Sequence, residues 1–180
     1  DVSHLFRVPL ALSHEVGGRV LSSMAQQKMM VDEAPYYKES PRFSTSGTVF
    51  GAVAGGGKLL HFDVATLTNA FGIAGASTAV PANIKWHHMT GPSIMTKYNC
   101  WTGWISQLAT VSVLVAEKGF TGDKTILDGE YGYWQIVGSP YFRVDNLLGG
   151  LGEVWHINEA SFKMYPTCSV YHWHCLTKLA

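Results

Sequence analysis

The stretch "SGTVFGAVAGGGKLLHFDVATLTNAFGIAGAST", Ser46 to Thr78, decides the fold. Its first half, Thr48 to Leu60, is dominated by Gly and Ala. It reads as a helix whose small side chains let a second helix approach its backbone. Asp63 has the chemistry to cap the next helix, Val64 to Gly75, because a carboxylate accepts from the free N–H groups of a first turn. Within this stretch "AVAGGGKLL" (Ala52 to Leu60) resembles a phosphate loop but lacks its pattern. Ala52 stands where the first Gly is needed, and Leu59 where Ser or Thr must follow the Lys. Close helix packing is the reading of this run.

The same helical logic extends in both directions. Upstream, Leu12, Val16, Val20 and Met24 recur at helical spacing beside Leu21. They predict a helix from about Ser3 to Met30, bent at Pro9. Val31 to Arg42 holds two prolines and mixed charge and reads as a loop. Downstream, Pro81 to Ser93 is a loop, and Trp101 to Lys118 is a long apolar helix that stops at Gly119. Thr121 or Asp123 caps a short helix through Leu127, Tyr131 to Val137 forms another, and Gly138-Ser139-Pro140 ends that part. After Gly152 the texture changes. Val154 to Tyr165 is compatible with strand, Pro166 closes it, and Cys168 to Leu179 reads as a helix. The expectation is a mainly α chain: a helical domain over 1–148, then the beginning of a small α+β unit over 149–180. A lone strand and helix bury no core of their own, so that second unit is incomplete.

Composition narrows the function classes. A hydrophobic fraction of 47% supports a packed core and excludes a disordered chain. Charged residues make up only 14%, below the usual quarter, so much surface is expected to be covered by the core or by another subunit. The net charge is zero and no Lys/Arg cluster exists, which argues against a nucleic-acid partner. The most apolar window, Ile105 to Ala116, is too short for a bilayer and carries Ser, Gln and Thr, so no membrane partner is expected. Three cysteines at wide spacing suggest no disulfide framework, and no secretory leader is visible, so a reducing, cytoplasmic setting is expected. Position 1 is not Met, which fits a processed, trimmed or partial chain.

Candidate chemistry centres on Lys97. Between Lys85 and Glu117 it carries the only formal charge, among Met, Thr, Tyr, Asn, Cys and Trp neighbours. A buried ammonium is costly unless paired. Either an acid from another helix or a bound carboxylate balances it, and the residues leave both open. His87 and His88 precede it and titrate near neutrality, as a general acid or base must. Lys163 opens "KMYPTCSVYH", where a helix start would favour an anion. Cys168, His172, His174 and Cys175 crowd together, but C-x3-H-x-H-C matches no usual zinc spacing; no metal site is expected, and the cysteines read as packing.

Four stretches together carry a resemblance. "HEVGGRV" (His14 to Val20) places Glu and Arg four apart. Ser46 to Thr78 has the form of a Gly-rich helix followed by an "AlGIAG" helix. Thr96 to Trp134 contains a lysine loop, a long helix and a "GFTGD…LDGEYG" segment, and Lys163 to His172 contains K-x-Y-P-x-C. In order and spacing the chain resembles the MmgE/PrpD family of 2-methylcitrate dehydratases and cis-aconitate decarboxylases. The resemblance implies a large helical domain with a smaller α+β lid. It also implies chemistry on polycarboxylic acids without metal or organic cofactor. A base removes a proton beside a carboxylate, or carbon dioxide is lost, while cationic groups hold the substrate.

Carried onto this sequence, the resemblance puts Lys97 on the family's active-site lysine and Lys163 and His172 on its lid motif; with His88 and His87 added from the loop ahead of the lysine, Lys97, His172, His88 and His87 are the candidate catalytic residues. Lys163, Thr45, Ser46, Tyr98 and Tyr165 are the candidate substrate-binding residues. The family has a histidine ahead of its Gly-rich helix, and here Thr45 stands in its place. The family's upstream Asp and His are absent, and the lid is cut short, so a central portion of the fold is expected. The leading expectation is a diverged lyase that dehydrates or decarboxylates a carboxylate-bearing biosynthetic intermediate. An isomerase, epimerase or cyclase on the same scaffold, a non-catalytic ligand- or partner-binding member, and a fragment of a full-length enzyme are the alternatives. The apolar helices are expected to need cover from a homodimer or higher homo-oligomer.

Overall fold

The computed structural model describes residues 2–24, 30–31, 34–35, 46–78, 103–128, 130–139, 142–160 and 162–165. Among these the chain is mainly α, as expected. Four long helices form the body: α1 (Val2–Met24), α2 (Thr48–Leu59), α3 (Val64–Ser77) and α4 (Trp104–Glu117). Two short helices, α5 (Tyr133–Ile136) and α6 (Val144–Leu148), and a 3-10 turn (His156–Glu159) follow. A small antiparallel hairpin pairs β1 (Met30–Val31) with β2 (Ala34–Pro35).

The Gly-rich helix is the hub. Helix α2 packs on α1, α3 and α4, and its glycines mark the crossings. A Cβ on Gly51 would lie 2.2 Å from the Ser13 carbonyl oxygen, and one on Gly55 would meet the Ser13 hydroxyl. Gly56 faces Val113 of α4, and Gly57 faces Leu67 of α3. The α1 and α2 backbones therefore touch where Ser13 and Gly17 oppose Gly51. Around this hub Val20, Val49, Phe50, Val53, Ala70 and Ala109 are buried with Tyr133 and Val137 in one core. The Phe50 ring meets Phe71 and Tyr133 edge-on, at centroid distances of 5.7 and 4.8 Å.

Helix ends follow their local chemistry. Asp63 caps α3 as expected, its Oδ1 accepting from the Thr66 N–H at 2.8 Å. Helix α4 ends in a Schellman motif. Gly119 sits at φ +87°, its N–H donates to Ala116 O, and the Phe120 N–H reaches back to Val115 O. Helix α1 runs through Pro9 and ends at Met24, short of the expected Met30, which instead pairs in the hairpin. Its end is set from far along the chain. Ser139 Oγ donates to Met24 O, the Arg143 N–H to Ser23 O, and Asn146 Nδ2 to Ser22 O. Three carbonyls that a helix terminus leaves without intrahelical partners are thereby satisfied.

Two further expectations are corrected. Residues 124–127 form turns rather than a capped helix, because Asp123 Oδ1 accepts both the N–H and the hydroxyl of Thr125 and closes a local turn. The described residues of Val154 to Tyr165 form no strand: they hold the 3-10 turn and irregular backbone, and the Val154 carbonyl goes to an arginine instead of a ladder. The expected helix over Cys168 to Leu179 lies outside the described residues.

Candidate functional site

Most of the residues singled out by sequence fall outside the described parts: Lys97, Tyr98, His87, His88, Thr45 and His172, together with Cys168, His174 and Cys175. Three are placed. Ser46 is fully buried immediately before α2, Lys163 is exposed, and Tyr165 is half-buried. Lys163 sits beside Phe162 and Met164, which are 97% and 76% exposed, in irregular backbone rather than at a strand end. The structure does not bring Lys163 and Ser46 into contact.

What the structure does bring together is an ionic clasp that sequence reasoning noted only as a spacing. Glu15 and Arg19 lie one turn apart on α1 and are each 2% exposed. Arg19 Nε donates to Glu15 Oε1 at 2.5 Å. The two Nη groups spread across the last turn of α6 and the segment after it, reaching the carbonyls of Leu147, Gly149, Gly150 and Val154 at 3.2, 2.7, 3.2 and 2.9 Å. Glu15 uses its second oxygen to accept the His156 N–H at 2.6 Å. The planar guanidinium fork suits this task, since its donors point in fixed directions and keep their charge. Gly150 and Gly152 adopt φ +62° and +86°, which turns successive carbonyls toward the arginine.

Burial alone pushes the Glu15 carboxyl upward. The Arg19 hydrogen bond, the His156 N–H and the attraction of Arg19 and His156 outweigh it, so the pKa lies below its ordinary value of 4.5. A depressed carboxylate contributes stability that is fully present above the unfolded pKa and is lost as pH falls through the folded one. The expected result is that amide protection over 147–156 holds at neutral pH and disappears on acidification below about 4.5. Hydrogen exchange on that segment as a function of pH checks it; loss of protection on raising the pH through neutrality would contradict the assignment.

The other feature is a surface groove of about 320 Å³ between α2 and α4. Ala52, Gly56, Leu59 and Leu60 line one wall, and Ser106, Ala109, Thr110 and Leu114 the other. Its walls are largely apolar, and among the described residues no charged side chain lines it. Among the described residues no group of His, Cys, Asp and Glu is placed to hold a metal ion. No helix among them is long and apolar enough to cross a membrane.

The architecture agrees with a comparison against protein families. The model of the MmgE/PrpD N-terminal domain matches residues 8–143, which include α1 from Val8, all of α2 to α5 and the intervening segments. The chain belongs to the MmgE/PrpD family. No individual curated protein matches it. In this MmgE/PrpD chain the clasp joins a helix inside the matched region to Leu147–His156 beyond it. Sequence held one signal for the clasp, the Glu-x-x-x-Arg spacing of "HEVGGRV". Tyr133, buried against Phe50, was not signalled as more than part of a short helix.

Proposed function

We propose that this chain is a diverged MmgE/PrpD lyase acting on a polycarboxylate, or on a carboxylate-bearing biosynthetic intermediate, by proton transfer with dehydration or decarboxylation. The match to the family over residues 8–143 is the observation that carries this reading. In it Lys97 pairs with a substrate carboxylate and stabilises the charge that develops beside it. His172, with His88 or His87, moves the proton. Lys163, Tyr165, Thr45 and Tyr98 hold the remaining polar groups of the substrate; Ser46, fully buried, is the substrate-binding candidate that this scheme leaves out. Residues 1–148 form the helical domain in this proposal and 149–180 begin the lid, which the Arg19 clasp fixes to α1. The reaction needs no cofactor in this scheme.

Proton NMR in deuterated buffer with 2-methylcitrate, cis-aconitate, citraconate and aspartate-derived diacids tests it. Deuterium exchange, loss of water, loss of carbon dioxide and epimerisation are all visible in one spectrum. Turnover or exchange at a carbon beside a carboxylate is expected, and Lys97→Met is expected to lower it at least about a hundredfold, as removal of a group stabilising transition-state charge does. Undiminished turnover in Lys97→Met would remove the lysine from the mechanism.

A second reading, a binding protein without catalysis, rests on Thr45, which stands where the family has a histidine and cannot act as a base at neutral pH. Saturable binding of a diacid by calorimetry, with no exchange in the NMR panel, would select it.

We also propose that the chain self-associates. Leu5, Phe6, Val8 and Leu10 on α1 are 49–65% exposed, and Trp104, Val111 and Leu114 on α4 are 47–55% exposed. A second copy covering either face would bury apolar area of a kind that monomers seldom display. Light scattering at micromolar concentration is expected to show at least a dimer, and a monomeric mass would count against it.

A further inference from the structure

From Ser139 to His156 the described residues lie along α1 as a strap, and their contacts follow the helix in reverse order. Ser139 Oγ donates to Met24 O, the Arg143 N–H to Ser23 O and Asn146 Nδ2 to Ser22 O. Arg19 then donates to the carbonyls of Leu147, Gly149, Gly150 and Val154, and Glu15 accepts the His156 N–H. Between the two charged residues the strap rests on Gly18, where a Cβ would lie 3.7 Å from the His156 Cβ. The side turned away from α1 is apolar. Val144, Leu148, Leu151 and Val154 are all about half exposed. Burial therefore contributes little to the strap's place, and the hydrogen bonds to α1 fix it.

Lys163 follows His156 by seven residues and Tyr165 by nine. The first of these residues form the 3-10 turn, and the described ones beyond it have irregular backbone. Even drawn out straight, such a link carries Lys163 no further than about 20 Å from His156. Phe162 and Met164, on either side of Lys163, are exposed and anchor nothing. The place of Lys163 is thus set largely by where the clasp ends.

We propose that Glu15 and Arg19 are positioning residues for the reaction: by fixing the strap on α1, they set where the Lys163 ammonium meets a substrate carboxylate. This rests on the lyase reading above, in which Lys163 binds substrate. Neither clasp residue touches substrate itself. Both are buried, and Glu15 Oε1 and Oε2 and Arg19 Nε, Nη1 and Nη2 are all engaged within the chain. Their effect is on ordering. An ammonium held in place before substrate arrives binds a carboxylate more tightly than one that must be ordered on binding.

The test uses Arg19→Lys and Gly152→Ala. The first weakens the clasp from α1. The second strains the strap itself at φ +86°, where a Cβ meets nothing within 4 Å, so the helical body keeps its packing. Spin labels on non-canonical residues at Leu60, at the end of α2, and at Met164, both exposed, read the place of the Lys163 segment directly. A narrow distance distribution in the parent, broadened in both variants, is the expected result. An unchanged distribution in both would overturn the inference, whether or not the protein turns over a diacid. Kinetics on the diacid selected by the NMR panel give the second readout. Each variant is expected to lower kcat/KM by up to about a hundredfold, the reach of a small misplacement. The loss should appear mainly in KM, as for weakened substrate binding. In a Lys163→Met background the same substitutions should have no further effect, because a positioning residue acts only through the group it positions. Full additivity with Lys163→Met would overturn the inference and leave the lyase reading intact. A parent that neither turns over nor binds a diacid would overturn the lyase reading and the clasp's part in it, even where the distances show Lys163 held.

Discussion

Arg19→Ala is expected to cost about 3–5 kcal/mol, the range for removing one partner of a buried ion pair. Two losses combine. The Glu15 carboxylate, 2% exposed, loses the guanidinium and is left with the His156 N–H. Four carbonyls, those of Leu147, Gly149, Gly150 and Val154, lose their donor together. Much of the loss is expected to appear first as local opening, because Leu148, Leu151 and Val154 are 56–59% exposed and contribute little burial of their own. Hydrogen exchange should therefore show 147–156 released at denaturant concentrations where α2 and α3 remain protected. Arg19→Lys is expected to recover less than half of the stability. It keeps the charge, but a compact ammonium with three donors cannot span Glu15 and four separated carbonyls. A midpoint for Arg19→Ala within about 0.5 kcal/mol of the parent, the ordinary scatter of surface substitutions, would show that the clasp holds nothing.

The clasp also marks the limit of what the sequence made legible. Elements whose cause is local were readable. Asp63 and the apolar run after it placed α3, Gly119 placed the end of α4, and the Gly/Ala pattern from Thr48 announced a close crossing. Elements whose cause is distant were not. The end of α1 is set by Ser139, Arg143 and Asn146, more than a hundred residues away in sequence. Helix α6 is a five-residue piece with no buried residue, held by α1 rather than by its own propensity. Val154 to Tyr165 has the apolar content of a strand, but among the described residues no neighbouring strand offers it a ladder, and it presents Ile157, Phe162 and Met164 outward. For the candidate site, Lys97 was legible as a charge out of place. The Glu15–Arg19 spacing was legible as a pair, but not its four carbonyl partners.

Gly51→Ala is the second substitution expected to have a large effect, about 3 kcal/mol destabilising, the upper part of the range for overpacking. The added Cβ would lie 2.2 Å from the Ser13 carbonyl oxygen, 2.9 Å from the Gly17 nitrogen and 3.0 Å from its Cα. All three are backbone atoms of α1, so no side chain can rotate out of the way. The two helices must separate or slide instead. Separation would open the contact at Gly17, whose own Cβ position is only 3.6 Å from the Gly51 Cα. It would also loosen Val20 and Val49 in the core beyond it. The better helix propensity of Ala, about 1 kcal/mol over Gly, offsets only part of this. Gly56→Ala on the same helix is the control. Its Cβ would meet Val113 Cγ2 at 3.1 Å, a clash with a side chain that a shift of a few tenths of an ångström relieves, so the propensity gain should leave it near neutral. Urea denaturation of the two variants checks the contrast. Equal midpoints would mean that the α1–α2 crossing is not the tight backbone contact that orders the rest of the helical body, whereas a deficit confined to Gly51→Ala locates the constraint at that crossing.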